Sequence, residues 1–559
     1  MADVRILIGG ESFREIREGG YYYVDKTDFV RMLLARIPGK AVLITRPRRF
    51  GKTLTLSMLR DFLDITQESS GIFAGLSVSQ DKELCGAWMN KCPTILLSLK
   101  DVDGESFEEA YGSFLGTAAR LCEDHAYLQD SPEVLDSTKR VLRAIQYQTA
   151  ERYQVADLLI TLCRALNQRY KKKVVVLIDE YDVPLARAQE NGYYGKMLKF
   201  VRKLLESVLK SNPALEFGLM TGCLRMAKES SYTGLNNVKC FGISDAFFAD
   251  KIGFTKREVE QILADADFSS KEDEVRTWYD GYCFGEHHEM YCPWDVLQYV
   301  DDLQHDPGAQ PLPYWLNSGE NSEVRKCVGR TDLDIDDDVS ELLQGQELRK
   351  EINEYLTYGE VDAREQSLWT LLYLTGYLTG SAAEQLDSGH KVVALRIPNK
   401  EVHAVFQRAI GEWYRDQADE ASLQALYDAL WSMDEKDMTD VVSDLMMEMI
   451  SYHDYKEAYY HAIMAGLLRG KYTVTSNYES GLGRADIRVE NANNNRAAVI
   501  EVKHASSEES MEQLTKEALQ QIREEKYDAP LVKKYGTVLH WGMTFYKKSC
   551  LAMCEKYTG

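Results

Sequence analysis

Ala41-Val-Leu-Ile-Thr45 runs directly into Arg46-Pro-Arg-Arg-Phe-Gly51-Lys52-Thr53, and Leu54, Leu56, Met58, Leu59 and Phe62 then recur at helical spacing. A short apolar strand, a basic loop and a helix in that order form a phosphate-loop pattern, Gly-x4-Gly-Lys-Thr, with Arg46 standing where the first glycine is expected. Such a loop aims backbone N–H groups at phosphates from a helix N-terminus, extends a lysine to the β and γ oxygens and places a hydroxyl on Mg²⁺. Gly51, Lys52 and Thr53 supply these parts, and Arg46, Arg48 and Arg49 are expected to add positive charge around the same phosphates. Arg46 cannot adopt the positive φ open to glycine, which predicts a loop of different shape.

Working outward, the most apolar strand in the chain, Val174-Val-Val-Leu-Ile178, ends on Asp179-Glu180-Tyr-Asp182. A strand apolar on both faces belongs inside a parallel sheet. At its tip Asp179 is expected to hold Mg²⁺ through its water shell, and Glu180 to polarise an attacking water. A further strand, Leu215 to Met220, ends on Thr221-Gly222. Thr221 is placed to sense a γ-phosphate, and Arg225 is a candidate for the arginine that stabilises phosphoryl transfer. Strands alternating with helices predict a right-handed parallel β/α sheet over this half.

The 559 residues exceed what one compact domain usually holds. Composition changes near 250 and near 450, which predicts a nucleotide-binding domain over 1–250, a helical and winged-helix-like lid or connector over 251–450, and a last α/β domain over 451–559. With 45% hydrophobic and 28% charged residues the chain is globular. With a net charge of -22 nothing in the bulk composition points to a polyanion partner, so any nucleic-acid contact must rely on a local basic patch. No apolar run reaches ~18 residues and the first residues lack a signal-peptide pattern, so the expectation is a cytoplasmic protein with no membrane partner. Eleven cysteines without a CxxC pair and scattered histidines argue for reduced thiols and against a zinc site.

The last region carries the second constellation. Gly481-Leu-Gly-Arg-Ala-Asp486-Ile-Arg-Val, an Asn-rich turn at Asn491 to Asn495, and Ala497-Ala-Val-Ile-Glu501-Val-Lys503 read as a β-hairpin. Glu501 and Lys503 lie two apart and share a face. Two carboxylates and an amine on one sheet suit metal-assisted phosphodiester hydrolysis: hard oxygens for Mg²⁺ (or Mn²⁺), and a lysine to orient water or offset developing charge. Upstream, Glu457 on a helix from Tyr455 to Leu468 is a further candidate metal ligand. Downstream, Leu514, Ala518 and Gln521 share a helical face, which turns Gln521 toward the sheet, with Tyr527 beyond it. The candidate metal set over both sites is thus Thr53, Asp179, Glu457, Asp486 and Glu501. His461 and His504 read as polar packing.

Two resemblances follow from these residues. Val24-Asp25-Lys26-Thr27, Arg46 to Thr53, Asp179-Glu180-Tyr181-Asp182, Thr221 to Arg225 and Gly234-Leu235-Asn236-Asn237 resemble the prokaryotic AAA-ATPase-like proteins, in which Arg-Pro-Arg-Arg-Phe-Gly-Lys is itself the usual loop form. Trp278-Tyr-Asp-Gly-Tyr282 and Leu395-Arg-Ile-Pro-Asn399 also look like signatures of that family, with aromatic packing as their expected role. Asp486, Glu501 and Lys503, with Ala485 where a proline often stands, resemble the PD-(D/E)xK nuclease superfamily; Glu457 and Gln521 match its helical glutamate and glutamine.

The resemblances imply a P-loop NTPase sheet, a restriction-endonuclease-like C-terminal domain, ATP and Mg²⁺ as cofactors, and a nuclease acting on nucleic acid, DNA favoured over RNA. The alternative is an ATP-controlled switch or binding protein with a silent nuclease-like domain, in defence or mobile-element biology. An oligomer is left open, because a ring-forming ATPase needs an arginine supplied across an interface.

Overall fold

The computed structural model describes residues 4–35, 40–225, 237–318, 322–328, 335–361, 365–385, 391–450, 455–480 and 483–557. Gly234 to Asn236, Gly481 and Leu482 of the quoted motifs lie outside them.

Two compact units emerge, Met1–Leu312 with Arg349–Asn399, and Pro313–Leu348 with Lys400–Gly559. The compositionally distinct segment 251–450 is thus divided between them.

The first unit is built on the strands β1 (Ala41–Thr45), β2 (Thr94–Ser98), β3 (Val174–Asp179), β4 (Leu215–Gly222) and β5 (Val238–Phe241), joined as one sheet in the order β2-β3-β4-β1-β5. Every pairing is parallel. Val174 to Ile178 are fully buried in the middle of this sheet. Each such side chain contributes roughly 1.5–3 kcal/mol by leaving water, which offsets the cost of carrying Asp179 into the interior. Parallel strands place all their C-terminal ends on one edge, and there the register sets Thr45 beside Gly222 and Ser98 beside Asp179.

A small sheet of β6 (Phe254–Thr255), β7 (Tyr282–Phe284) and β8 (His287–Tyr291) follows, and then a three-stranded sheet of β9 (Leu348–Ile352), β10 (Thr379–Gln385) and β11 (Lys391–Arg396) beside the helix Glu365–Thr375. The two signature segments dock on each other: Asn399 Nδ2 donates to Asp280 O at 2.9 Å. Gly281, at φ 105°, lies so close to Pro398 that a Cβ there would meet its carbonyl at 2.1 Å. Tyr282 and Phe284 in turn meet the ring of Phe50, in the phosphate loop, at 5.0 and 5.1 Å. Aromatic packing is therefore the role of Tyr282, which braces the loop, whereas Leu395 to Asn399 carries no aromatic ring and packs through its backbone and Asn399.

The second unit carries β12 (Thr473–Ser480), β13 (Gly483–Asn491), β14 (Arg496–His504), β15 (Thr537–Tyr546) and β16 (Ser549–Lys556) in sequential order. Only β14 and β15 run parallel, and the crossover between them carries the helix Met511–Glu524. A Cβ on Gly542 of β15 would stand 2.5 Å from Thr515 O, so helix and sheet touch there. The helices Lys400–Gln417 and Glu457–Arg469 make backbone contact, since a Cβ on Gly466 would lie 2.1 Å from Gly411 Cα.

No helix among the described residues is long and apolar enough to cross a membrane. None of the eleven cysteines is paired in a disulfide.

Candidate functional site

The phosphate-loop site forms where β1, β3 and β4 end. Gly51 caps the helix Lys52–Leu63 at φ 89°, and Arg49 before it also turns left-handed, at φ 67°. These two residues, not position 46, supply the positive φ of the turn. Lys52 is 4% exposed, and its Nζ donates to Arg46 O at 3.1 Å and Pro47 O at 2.9 Å. Burial opposes its charge, but Cys223, Glu180, Asp182 and Asp179 together hold its pKa above the ordinary lysine value. Asp179 is buried and accepts from Thr53 Oγ1 at 2.7 Å on one oxygen and from Thr221 Oγ1 at 2.6 Å on the other. Thr53, Asp179 and Thr221 are therefore one hydrogen-bonded cluster, its hydroxyl and carboxylate oxygens of the hard type that Mg²⁺ takes.

Glu180 adopts φ 50°, a conformation costly for a residue with a side chain and often found at functional sites. Burial, opposed by Lys52 and reinforced by Asp179 and Asp182, raises its pKa. Asp182, missed as a site residue although it lies in the quoted motif, accepts the backbone N–H groups of Cys223 and Leu224 at 2.8 and 2.9 Å. It fixes the turn that follows Thr221.

The three loop arginines part company. Arg46 is fully buried, donating through Nη1 to Thr45 O and Gly242 O at 2.8 and 2.9 Å and through Nη2 to Phe248 O at 2.9 Å. Its guanidinium thus ties the end of β1 to the 242–248 turn instead of joining the others around a phosphate. Burial lowers its pKa to about 10, and it stays charged. Arg49 lies over the ring of Trp294 at 4.7 Å. Arg48 stays close enough to pull against the burial that raises both Glu180 and Cys223. Arg225 is held by Asp245 at 2.5 Å and Glu354 at 3.0 Å.

Beside Gly51 opens a mainly apolar cavity of about 90 Å³, walled by Ile6, Leu7, Tyr23, Phe50, Leu54 and Met58. Nothing in the periodicity of residues 6–24 signals it, because its walls come from segments far apart in sequence.

The second site lies where β13 parts from β14. Their ladder runs from Asn491 beside Arg496 to Ile487 beside Ile500 and stops there. One residue further, Asp486 turns its Oδ2 to the Val502 N–H at 2.9 Å. Glu501 is 1% exposed; its Oε1 accepts from Lys503 Nζ at 3.2 Å, whereas its Oε2 is buried with no hydrogen-bond partner. Burial and the Asp486 charge push the Glu501 carboxyl up to about 8, against the pull of Lys503. Burial likewise raises Glu457, which feels Lys503 and Asp486. Lys503 is raised because Glu501, Glu457 and Asp486 outweigh its burial. Glu457, Asp486, Glu501 and Lys503 thus share one field. Gln521 Nε2 donates to Tyr527 OH at 3.2 Å, and Tyr527 in turn feels Glu501 and Asp486.

Among the described residues no three His, Cys, Asp or Glu side chains are already gathered around a metal position. At the second site Asp486 and Glu501 are instead turned to Val502 and Lys503. The orphaned Glu501 oxygen and the unbalanced carboxylates nevertheless fit a divalent cation.

Residues 7–232 match the family model described as predicted AAA-ATPase, and residues 455–555 match the PD-(D/E)XK nuclease superfamily. A relative from Azotobacter chroococcum mcd 1, described as an uncharacterized protein in the vnfD 5′ region, is 27% identical over 440 residues, which cover 78% of this chain and 75% of the relative.

Proposed function

With a predicted AAA-ATPase region and a PD-(D/E)XK nuclease superfamily region in one chain, we propose an ATP-binding and hydrolysing protein that carries a divalent-metal-dependent nuclease, with DNA as the favoured substrate. The observation that carries this reading is the meeting of Asp486, Glu501 and Lys503 at the parting of β13 and β14, with a buried carboxylate oxygen left without a partner.

In the nuclease half, Asp486 and Glu501, assisted by Glu457, hold the cation. A bound Mg²⁺ supplies Lewis acidity toward a phosphate oxygen and makes water a better nucleophile. Lys503 orients the attacking water or offsets charge on the phosphate. Gln521, braced by Tyr527, fixes the substrate beside them.

In the ATPase half, the N–H groups at the start of the helix Lys52–Leu63 and the Lys52 ammonium cradle phosphates, with Arg48 adding charge. Thr53 and Asp179 hold Mg²⁺, Glu180 orients water and Thr221 reads the γ-phosphate.

A second reading, a nucleotide-controlled protein that holds nucleic acid without cutting it, is favoured by the engagement of Asp486 and Glu501 with the chain itself.

The two are separated by incubating the purified chain with single- and double-stranded DNA in Mg²⁺ or Mn²⁺. The nuclease reading expects metal-dependent cleavage that Lys503→Ala lowers by roughly 10²–10³, the usual loss when one group stabilising transition-state charge is removed. Binding without cleavage in either metal would favour the second reading.

A further inference from the structure

His461 was expected to be polar packing, but its two ring nitrogens make bonds that lead to the nuclease site. His461 lies four residues after Glu457 on the helix Glu457–Arg469, so both project from one face of it. The ring is 4% exposed, and its Nε2 stands 2.8 Å from the main-chain carbonyl of Asp486. A carbonyl only accepts, so Nε2 carries the hydrogen. Nδ1 of the neutral ring is then an acceptor, and the amide Nε2 of Gln407 stands 3.1 Å from it. Gln407, buried on the neighbouring helix Lys400–Gln417, can donate where a carbonyl or carboxylate could not. The ring's tautomer is thereby fixed by its partners.

The place where this bond lands gives it meaning. The β13–β14 ladder ends at Ile487, so the Asp486 carbonyl lies one residue past the last paired position. His461 receives that carbonyl, while the Asp486 side chain receives the Val502 N–H at 2.9 Å. Main chain and side chain of one aspartate are thus held from two sides, at the point where β13 leaves β14 while still paired with β12. The contact of Gly411 with Gly466 keeps the two helices close enough for the Gln407 amide to reach the ring.

We propose that His461 and Gln407 are positioning residues for Asp486. His461 grips its carbonyl, Gln407 fixes the His461 tautomer, and together they set where the Asp486 carboxylate stands for a divalent cation. This rests on the metal-site reading of Asp486 and Glu501. Groups that orient metal ligands typically govern affinity by 10- to 100-fold.

The test measures two quantities on the full chain: Mn²⁺ affinity by calorimetric titration, and hydrogen exchange of the Val502 amide without metal. His461→Ala is expected to weaken Mn²⁺ binding about tenfold or more and to speed Val502 exchange. Gln407→Leu is expected to do both to a smaller extent. His461→Gln, whose amide can donate to the same carbonyl, should recover most of both. Tyr414→Phe is the packing control: it removes the 3.1 Å hydroxyl bond between Tyr414 and Tyr459 on the same helix pair and should leave both readouts unchanged.

Wild-type affinity and Val502 protection in His461→Ala would overturn the proposal. So would losses in Tyr414→Phe as large as those in His461→Ala. A wild-type chain that binds no Mn²⁺ would defeat the metal-site reading instead, and Val502 exchange would then decide: faster in His461→Ala upholds the positioning role, and unchanged overturns it.

Discussion

The two sites handle the same difficulty, charge carried into a protein interior, in opposite ways. At the phosphate loop the charges are satisfied by the chain. Lys52 is stitched to two loop carbonyls, and both Asp179 oxygens accept a threonine hydroxyl. At the parting of β13 and β14 the balance is left open: Glu501 has one buried oxygen without a partner and a carboxyl pushed up to about 8. In the proposed function the first site exchanges these internal bonds for bonds to an anion. In the second, burial and the Asp486 charge oppose ionisation of Glu501, a penalty that the proposed cation would relieve. A carboxylate cluster that must attract metal is better left unsatisfied, since internal partners as complete as those of Asp179 would compete with the ion.

The largest expected effect on ligand binding breaks the first half of this comparison alone. Lys52→Ala removes the buried ammonium, and ATP affinity, measured by titration calorimetry, is expected to fall about 100-fold or more, as loss of a charge-assisted contact of 3 kcal/mol or so implies. Mn²⁺ binding at the second site should not change. An unaltered ATP affinity would remove Lys52 from the nucleotide site.

A pair of substitutions then separates the loop arginines. Arg46→Leu leaves the carbonyls of Thr45, Gly242 and Phe248 without their donor, each costing about 1–3 kcal/mol. A marked drop in unfolding temperature is expected by calorimetry. Arg48→Ala should leave that temperature nearly unchanged and weaken ATP several-fold, in a salt-dependent way. The reverse pattern would mean that Arg46 and not Arg48 faces the phosphates.

Much of this was legible in sequence, for identifiable reasons. The strand Val174–Asp179 announces itself because a strand apolar on both faces can only be central, and its last residue must then reach the functional edge. Asp486, Glu501 and Lys503 were legible because period-two alternation and a short turn place them on one face without knowledge of the rest of the fold. Arg46 was not. A basic residue in a phosphate loop reads as a phosphate ligand, and only the return of the chain at 242–248 supplies the carbonyls that bury it. The cavity beside Gly51 and the pair Gln407 and His461 were hidden for the same reason, since each is made by segments that sequence spacing cannot bring together. The segment 251–450 reads as one connector by composition, yet β9, β10 and β11 belong with the first unit and the helix Lys400–Gln417 with the second.

The measurement that tests the contrast most directly is the thermal unfolding of the wild type and of Glu501→Gln, with and without Mn²⁺, between pH 4.5 and 8.5. The folded-state pKa of Glu501 is raised, so the stability of its neutral form is complete below the ordinary carboxylate pKa and is lost as pH rises toward about 8. Without metal the glutamine variant is therefore predicted to match the wild type at pH 4.5 and to melt higher at pH 8.5, by roughly 2–4 °C for each kcal/mol relieved. With Mn²⁺ at pH 8.5 the order should reverse, because only the wild type gains from binding. A glutamine variant that melts lower than the wild type at pH 8.5 without metal, or a wild type indifferent to Mn²⁺, would contradict the account of a site left unbalanced for a cation.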